Sequence, residues 1–316
     1  MRLQKIFVTI IFAFSLLIAL SAGVPDAFGE QLPKIKTLII DGDNNHKWKE
    51  TTPVLRKILE DSGRFTVDVI TLEKSENKFN VKSVTENLNQ DLIGKEFTPV
   101  FVKFDLVVSN FNNHRGGTWS EETRAAFEKY VKDGHGFVVY HAADNAFREW
   151  KEYNKMIAFG GWGGRNESDG PYLYIDDAGK TIRDQSKGGG GNHGRAWAFP
   201  IKNQTPEHPV MKGLPNEFMH SSDELYDRMR GPAENVTILA TAYSKNTTER
   251  HEPMLLAIDY GKGRVFHTTL GHAAEQLKSV AFIVTFLRGS EWAATGKVTI
   301  PVPNDMPDAG APVIRK

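Results

Sequence analysis

The sequence predicts an α/β protein built on a mostly parallel sheet with helices on both faces. Three observations carry this expectation. Short apolar runs alternate with segments of helical periodicity along most of the chain. Gly136 to Tyr140 (GFVVY) is continuously apolar, as a strand covered on both faces must be. Loops rich in asparagine and histidine follow the strand-like runs, where open α/β sheets gather their ligands.

The chain opens on an address rather than on a fold. Arg2 and Lys5 precede an uncharged apolar run, Ile6 to Leu20, with Ala27-Phe28-Gly29 as a cleavage site and Leu20-Ser21-Ala22 as an alternative. The run falls short of the roughly 20 apolar residues that span a bilayer. Residues 1–29 therefore read as a signal peptide, an uncleaved anchor being the other reading, and the expected location is secreted or periplasmic. No later segment has the length and apolarity to cross a membrane. About 285 residues remain, enough for one large α/β domain over 30–300.

Lys36 to Ile40 (KTLII) is the first strand, ending in the turn-rich Asp41-Gly42-Asp43-Asn44-Asn45. Val54, Leu55, Ile58 and Leu59 mark a helix that Gly63 stops. Phe65 to Leu72 is the second strand. Phe104 to Val108 is the third and runs into the polar loop Asn110 to Gly117. Ser120 caps a helix whose first turn carries Glu121 and Glu122, favourable against the helix dipole, and Gly134 ends it before the strand Gly136 to Tyr140. From Gly160 to Gly194 glycine is dense and periodicity disappears, a pattern of functional or disordered segments. Ala196 to Ile201 and Val236 to Ala242 read as strands. Met254 to Tyr260 and Arg264 to Thr269 form a hairpin around Gly261-Lys262-Gly263. A last helix is expected over Ala273 to Leu287, ending near Gly289. The proline-bearing tail, 301–316, reads as loosely held.

Composition narrows the function. Formal net charge is zero and lysine and arginine are nowhere concentrated, which argues against nucleic acid as a partner and favours a small neutral ligand. The chain has no cysteine, so thiol nucleophiles, thiolate metal sites and disulfides are excluded. Neither glycine run is followed by the lysine and hydroxyl residue of a phosphate loop, and no G-x-G-x-x-G opens a helix, so a nucleotide cofactor has no support.

His46, His114, His141 and His272 each follow a strand end on one rim of the expected sheet. Imidazole suits proton transfer near neutral pH and divalent metal binding alike. His267 and His272 are too far out of phase to chelate locally, and His135 reads as a turn residue. Asp223-Glu224 is a carboxylate pair that a solvated surface would also explain. His193 lies between glycines that let a backbone approach a ligand or simply bend. Trp162, Tyr172, Tyr174 and Trp197 can stack on sugar rings or pack under the long glycine-rich segment.

The C-terminal half carries a specific series: His208-Pro209-Val210-Met211-Lys212-Gly213-Leu214-Pro215, Asp223-Glu224-Leu225-Tyr226, Gly261-Lys262-Gly263-Arg264-Val265-Phe266 and Thr269-Leu270-Gly271-His272. With Asn45-His46-x-Trp48 and Gly136 to Ala142, this series resembles the trehalose-utilisation (ThuA-like) family over roughly residues 35–295. The resemblance implies a flavodoxin-like three-layer sandwich with a mostly parallel central sheet, related to class I glutamine amidotransferases. Those enzymes place a nucleophilic cysteine on the sharp turn after a central strand. Here His141 stands on that turn, so glutamine hydrolysis through a thioester is excluded. Gly271-His272 resembles the histidine part of their triad, with Glu275 near the third position.

The family's link to sugar catabolism implies a small carbohydrate partner, in particular an oxidised (3-keto) glycoside or disaccharide, and an isomerase, lyase or hydrolase activity. On that implication His141 and His272 are the acid-base residues, and His46 and Glu224 orient or ligate. Trp48, Asn45, His114, His193 and Asp223 are the substrate-binding candidates. A divalent metal on His46, His141 and His272, or sugar binding without catalysis, are the alternatives.

Overall fold

The computed structural model describes residues 32–85, 88 and 101–316, so the signal-like stretch 1–29 lies outside it. The chain runs β1 (Ile35–Asp41), α1 (Trp48–Asp61), β2 (Phe65–Ser75), β3 (Lys78–Val84), β4 (Leu106–Ser109), α2 (Glu121–Lys132), β5 (Gly136–Tyr140) and α3 (Lys151–Ile157). It continues through β6 (Tyr172–Ile175), β7 (Thr181–Asp184), β8 (Asn192–His193), β9 (Trp197–Asn203), β10 (Glu217–Asp223) and β11 (Tyr226–Asp227). β12 (Val236–Tyr243), β13 (His251–Tyr260), β14 (Gly263–Thr268) and α4 (Val280–Thr295) complete it.

Period-two burial in the central strands sets the layers. Leu38 and Ile40 of β1, Val107 of β4, and Phe137 and Val139 of β5 enter one core. Their alternates Ile39, Leu106, Val108, Val138 and Tyr140 enter the other. Phe127, Tyr130 and Val131 of α2 and Tyr153, Met156 and Ile157 of α3 close the first core, while Leu55 and Leu59 of α1 and most of α4 close the second. Helices thus cover both faces, as expected. Ser120 caps α2 as its sequence predicts, its hydroxyl accepting the Thr123 N–H at 3.1 Å.

The sheet itself departs from the mostly parallel expectation. β2, β1, β4, β5 and β14 pair in parallel in that order, but β3 flanks them antiparallel on one side. On the other side β13, β12, β9 and β10 add antiparallel strands, and β6 and β7 join through β13, to give a mixed sheet of 12. The reason is local. The short Gly261-Lys262 turn can join only antiparallel neighbours, and beyond it β12, β9 and β10 each run antiparallel to the strand before.

Two further expectations fail at the C-terminus. The last helix begins at Val280, after a 3-10 stretch over Gln276–Lys278, and runs through Gly289 to Gly296 in the left-handed conformation, φ +73°. Gly289 is a contact rather than a stop. A Cβ there would lie 2.3 Å from Cδ1 of Phe266, so glycine lets α4 press against β14. The tail is also held. Asp308 accepts the Met219 N–H, Val313 accepts the Val280 N–H, and Arg315 donates its N–H to Lys278 and pairs with Asp305 at 2.8 Å. Prolines remove donors but keep their carbonyls, and the residues between them supply the rest.

Gly289→Ala should destabilise the protein. Helix propensity favours alanine by about 1 kcal/mol, but forcing a methyl into Phe266 costs about 1–3 kcal/mol. A lowered Tm by calorimetry is the expected outcome; a raised one would mean that α4 can lift off β14 freely.

Candidate functional site

The parallel strands deliver their carboxyl ends to one rim. Asn44, Asn45 and His46 follow β1, residues 110–118 follow β4, His141 follows β5, and Thr269 to His272 follow β14. His141 takes φ +45°, a conformation that residues other than glycine seldom adopt and that is kept where surrounding structure enforces it. Glu224 reaches the same place from the end of β10.

These four side chains converge. His46, His141, Glu224 and His272 each offer one ligand atom, all within 4.8 Å of one another. The ring of His46 lies edge-on to His141 and to His272, with centroids at 4.8 and 4.7 Å. Glu224 Oε2 is 2.9 Å from His272 Nδ1 and 3.9 Å from His141 Nε2. Its other oxygen faces His193 Nε2 at 3.7 Å.

Backbone and amide acceptors set the ring states. His141 Nδ1 lies 2.6 Å from the Thr269 carbonyl, which can only accept, so Nδ1 carries the proton and the Nε2 lone pair points inward. His46 Nδ1 is 3.2 Å from the Asn44 side-chain oxygen, which leaves its Nε2 likewise free. Burial, then the neighbouring His141 and His272, push His46 down to about 2. Burial also lowers His141. His272 goes the other way, raised chiefly by its contact with Glu224.

The donor set fits a divalent ion. An ion bonded at about 2.0–2.2 Å needs its ligand atoms within about 4.2 Å of one another, so closure asks for shifts of about half an ångström. His272 Nδ1 is buried without a properly directed hydrogen bond, although Glu224 is near, as expected of two groups aimed at a common point. One contact competes: the Tyr226 hydroxyl lies 2.8 Å from His141 Nε2 and must turn aside before that nitrogen can ligate.

Asp223 holds the arrangement from beneath. It is fully buried and accepts the N–H groups of Gly271 (2.6 Å), Glu224 (2.9 Å) and His272 (3.1 Å), and its Oδ2 lies 2.9 Å from His220 Nε2. Burial alone would raise this carboxyl; the His220 bond, the charges of His220 and His141, and the Gly271 N–H outweigh it and hold it below the usual range. Asp223 thus positions two of the four side chains and does not face the cleft expected to take substrate.

A cleft of about 1220 Å³ opens in front of the cluster, lined by His46, Glu224, Tyr226 and His272 among others. Asn45, His114 and His193 line it, with Asn112, Asn113, Asn145 and Trp162. Trp48 does not. It opens α1 and borders a separate groove of about 370 Å³, with Lys49 5.5 Å from its ring. The aromatic residue of the cleft is Trp162, on the glycine-rich segment. That segment is ordered by backbone packing: a Cβ at Gly191, where φ is +84°, would lie 2.4 Å from the Trp162 nitrogen. β8 pairs with β11 and sets His193 opposite Tyr226. Tyr226 had a signal in the Asp-Glu-Leu-Tyr series; Asn145 and Arg124, also at the cleft, had none.

Asp223→Asn should loosen the turn that carries His272. The variant turns an amide toward N–H groups that need an acceptor, and each buried donor left unpaired costs about 1–3 kcal/mol. Faster amide hydrogen exchange at Gly271, His272 and Glu224 is the expected result, with unchanged exchange in β4 and β5. Unaltered protection at those three amides would show that Asp223 is not what holds them.

Comparison with known proteins agrees with this architecture. The family model described as trehalose utilisation, ThuA, matches residues 36–293. A solved ThuA-like protein from Parabacteroides merdae is 44% identical, with a TM-score of 0.79 over 90% of this chain and 98% of that one. Another, from Bacteroides uniformis, is 16% identical with a TM-score of 0.56, over 87% and 96% of the two chains, and shows similarity of fold alone. No curated protein matches the sequence. With most of its length covered by the family model, the chain belongs to the ThuA, trehalose-utilisation family.

Proposed function

We propose that the protein is a carbohydrate-processing enzyme that holds a divalent metal ion on His46, His141, His272 and Glu224 and acts on oxidised, 3-keto glycosides. The convergence of four donor atoms within 4.8 Å carries this reading. Family membership supplies a role in carbohydrate utilisation. The order of the five parallel strands, second, first, third, fourth, fifth in chain sequence, supports a flavodoxin-like centre with its ligand beyond the strand ends. Arg2, Lys5 and the apolar Ile6 to Leu20 support export from the cytoplasm.

A bound divalent ion would supply Lewis acidity toward a sugar oxygen. This chain's residues do the rest. His46 and His141, kept neutral by burial, present unprotonated nitrogens. The side-chain amides of Asn45, Asn112 and Asn113 both donate and accept, which suits hydroxyl groups of a neutral ring. Trp162 offers an apolar face. His193, partly exposed at the far oxygen of Glu224, stands where a proton on the ligand can be taken or returned. A ring carbonyl acidifies the neighbouring C–H, so one such base suffices to begin isomerisation or elimination. The second reading, favoured by the 2.9 Å contact of His272 with Glu224, is proton transfer by that pair without metal.

Elemental analysis of protein purified without chelator separates the two. About one equivalent of a transition metal is expected, with His46→Ala and His272→Ala each losing at least about tenfold in affinity and most turnover of a 3-keto glycoside. Tyr226→Phe should bind the ion about fivefold more tightly, because a competing hydrogen bond of about 1 kcal/mol is gone. Absence of metal, with turnover indifferent to chelator, would overturn the metal reading in favour of His272 and Glu224. Folded His141→Ala and His272→Ala variants with full turnover would overturn both.

A further inference from the structure

The cleft carries a charge that the proposed chemistry leaves unused. Arg124, in the first turn of α2, lines it together with Asn113, Thr118 and Trp150. Among the described residues its guanidinium has no hydrogen-bond or ion-pair partner, and its Nε is buried without an acceptor. A desolvated donor left unpaired is unfavourable, and so is a feature that asks for an acceptor. The other cations of the cleft are matched. Arg148 forks onto Asp169 at 2.9–3.2 Å, and Lys47 faces Glu50 at 3.5 Å. Glu128, one turn along α2, is the natural partner of Arg124. It is engaged elsewhere, accepting Trp150 Nε1 at 2.5 Å. The Trp150 ring then backs the guanidinium at 5.9 Å.

We propose that Arg124 receives a carboxylate on the carbohydrate, so that the cleft selects an acidic sugar over a neutral one. This rests on the reading of the cleft as a carbohydrate site. The planar fork of arginine matches the two oxygens of a carboxylate. Among the described residues lining the cleft only one lysine or arginine is unmatched, and Glu149 also lines it, so a single negative charge fits better than the double charge of a phosphate. Room is not limiting. At about 1220 Å³ the cleft exceeds the roughly 300–1,000 Å³ of ordinary small-ligand sites, so the acidic group and the ring at the His46 cluster can occupy separate parts of it.

The test is calorimetric titration of the full-length mature protein with glucose, glucuronate and glucose 6-phosphate, before and after chelator treatment. Glucuronate should bind about tenfold tighter than glucose, the gain of one charge-assisted pair, and should keep that advantage without metal. Arg124→Gln, with unchanged circular dichroism, should bring the two sugars within about twofold. Equal binding of glucose and glucuronate by the wild type would overturn the carboxylate subsite while leaving the carbohydrate reading intact. An advantage that survives Arg124→Gln, or vanishes with chelator, would place the carboxylate elsewhere and overturn it too. Tighter binding of glucose 6-phosphate than of glucuronate would overturn the choice of carboxylate. Binding of none of the three would overturn this subsite, whereas the carbohydrate reading stands or falls on turnover of a 3-keto glycoside.

Discussion

The buried carboxylate of Asp223 is the constraint on which the rest of the site depends. Three backbone N–H groups and one imidazole meet on it, and among the described residues it has no lysine or arginine partner. An ionised carboxylate in such a place is tolerated only when fixed dipoles replace its lost hydration. Those dipoles belong to Glu224 and to the Gly271-His272 turn, so satisfying the charge also sets the distance between two donors of the cluster. The coupling extends outward. His220 Nδ1 lies 3.1 Å from the Ser279 hydroxyl at the start of α4, and Ser279 bridges to Ile314 in the C-terminal tail. A segment that looks loosely held in the sequence is therefore three contacts from the site's positioning carboxylate.

Electrostatics within the cluster divides the labour. Three imidazoles within ring contact cannot all carry charge, and burial decides against His46 and His141. His272, half-exposed and against Glu224, is the one in which the charged form is favoured. Neutral rings with fixed Nδ1 protons are what a ligand set requires, whereas a base that exchanges protons with substrate must be reachable. His141 is fully buried behind Tyr226, which argues against its acting directly on substrate and for its acting on whatever occupies the cluster.

The fold was legible where its cause is local. Continuous apolar runs, the Ser120 cap and the Gly261-Lys262-Gly263 turn each carry their physics within a few residues, and the elements fall within a few positions of where those signals put them. What sequence could not show is set by partners far along the chain. Gly289 looks like a helix stop until Phe266 is seen against it. The glycines of 160–194 look like a flexible or ligand-facing loop, although Gly160, Gly170 and Gly191 serve close packing against backbone and the segment encloses the β6–β7 hairpin. In the site, the histidines that end parallel strands were visible because the topology of open sheets gathers them. Trp48 misled because it follows His46 so closely; α1 begins at that residue and carries the side chain to the neighbouring groove. Arg124 gave no signal at all, since an unpaired arginine on a helix is unremarkable until the surrounding acceptors are seen to be occupied.

His141 shows how one backbone turn dictates where a side chain goes while the side chain decides the chemistry. A turn at φ +45° after a central strand thrusts one side chain to the head of the cleft whatever that side chain is. With cysteine there, the turn would present a nucleophile that needs a neighbouring histidine as base. With histidine there, the base becomes one of several converging nitrogens, and the carboxylate that would orient it is replaced by the Thr269 carbonyl. That carbonyl fixes the tautomer without adding negative charge. The single carboxylate of the cluster, Glu224, is left to balance a cation, and a centre with two nitrogens kept neutral by burial, a third on His272 beside Glu224, and one negative oxygen suits a divalent ion better than covalent catalysis.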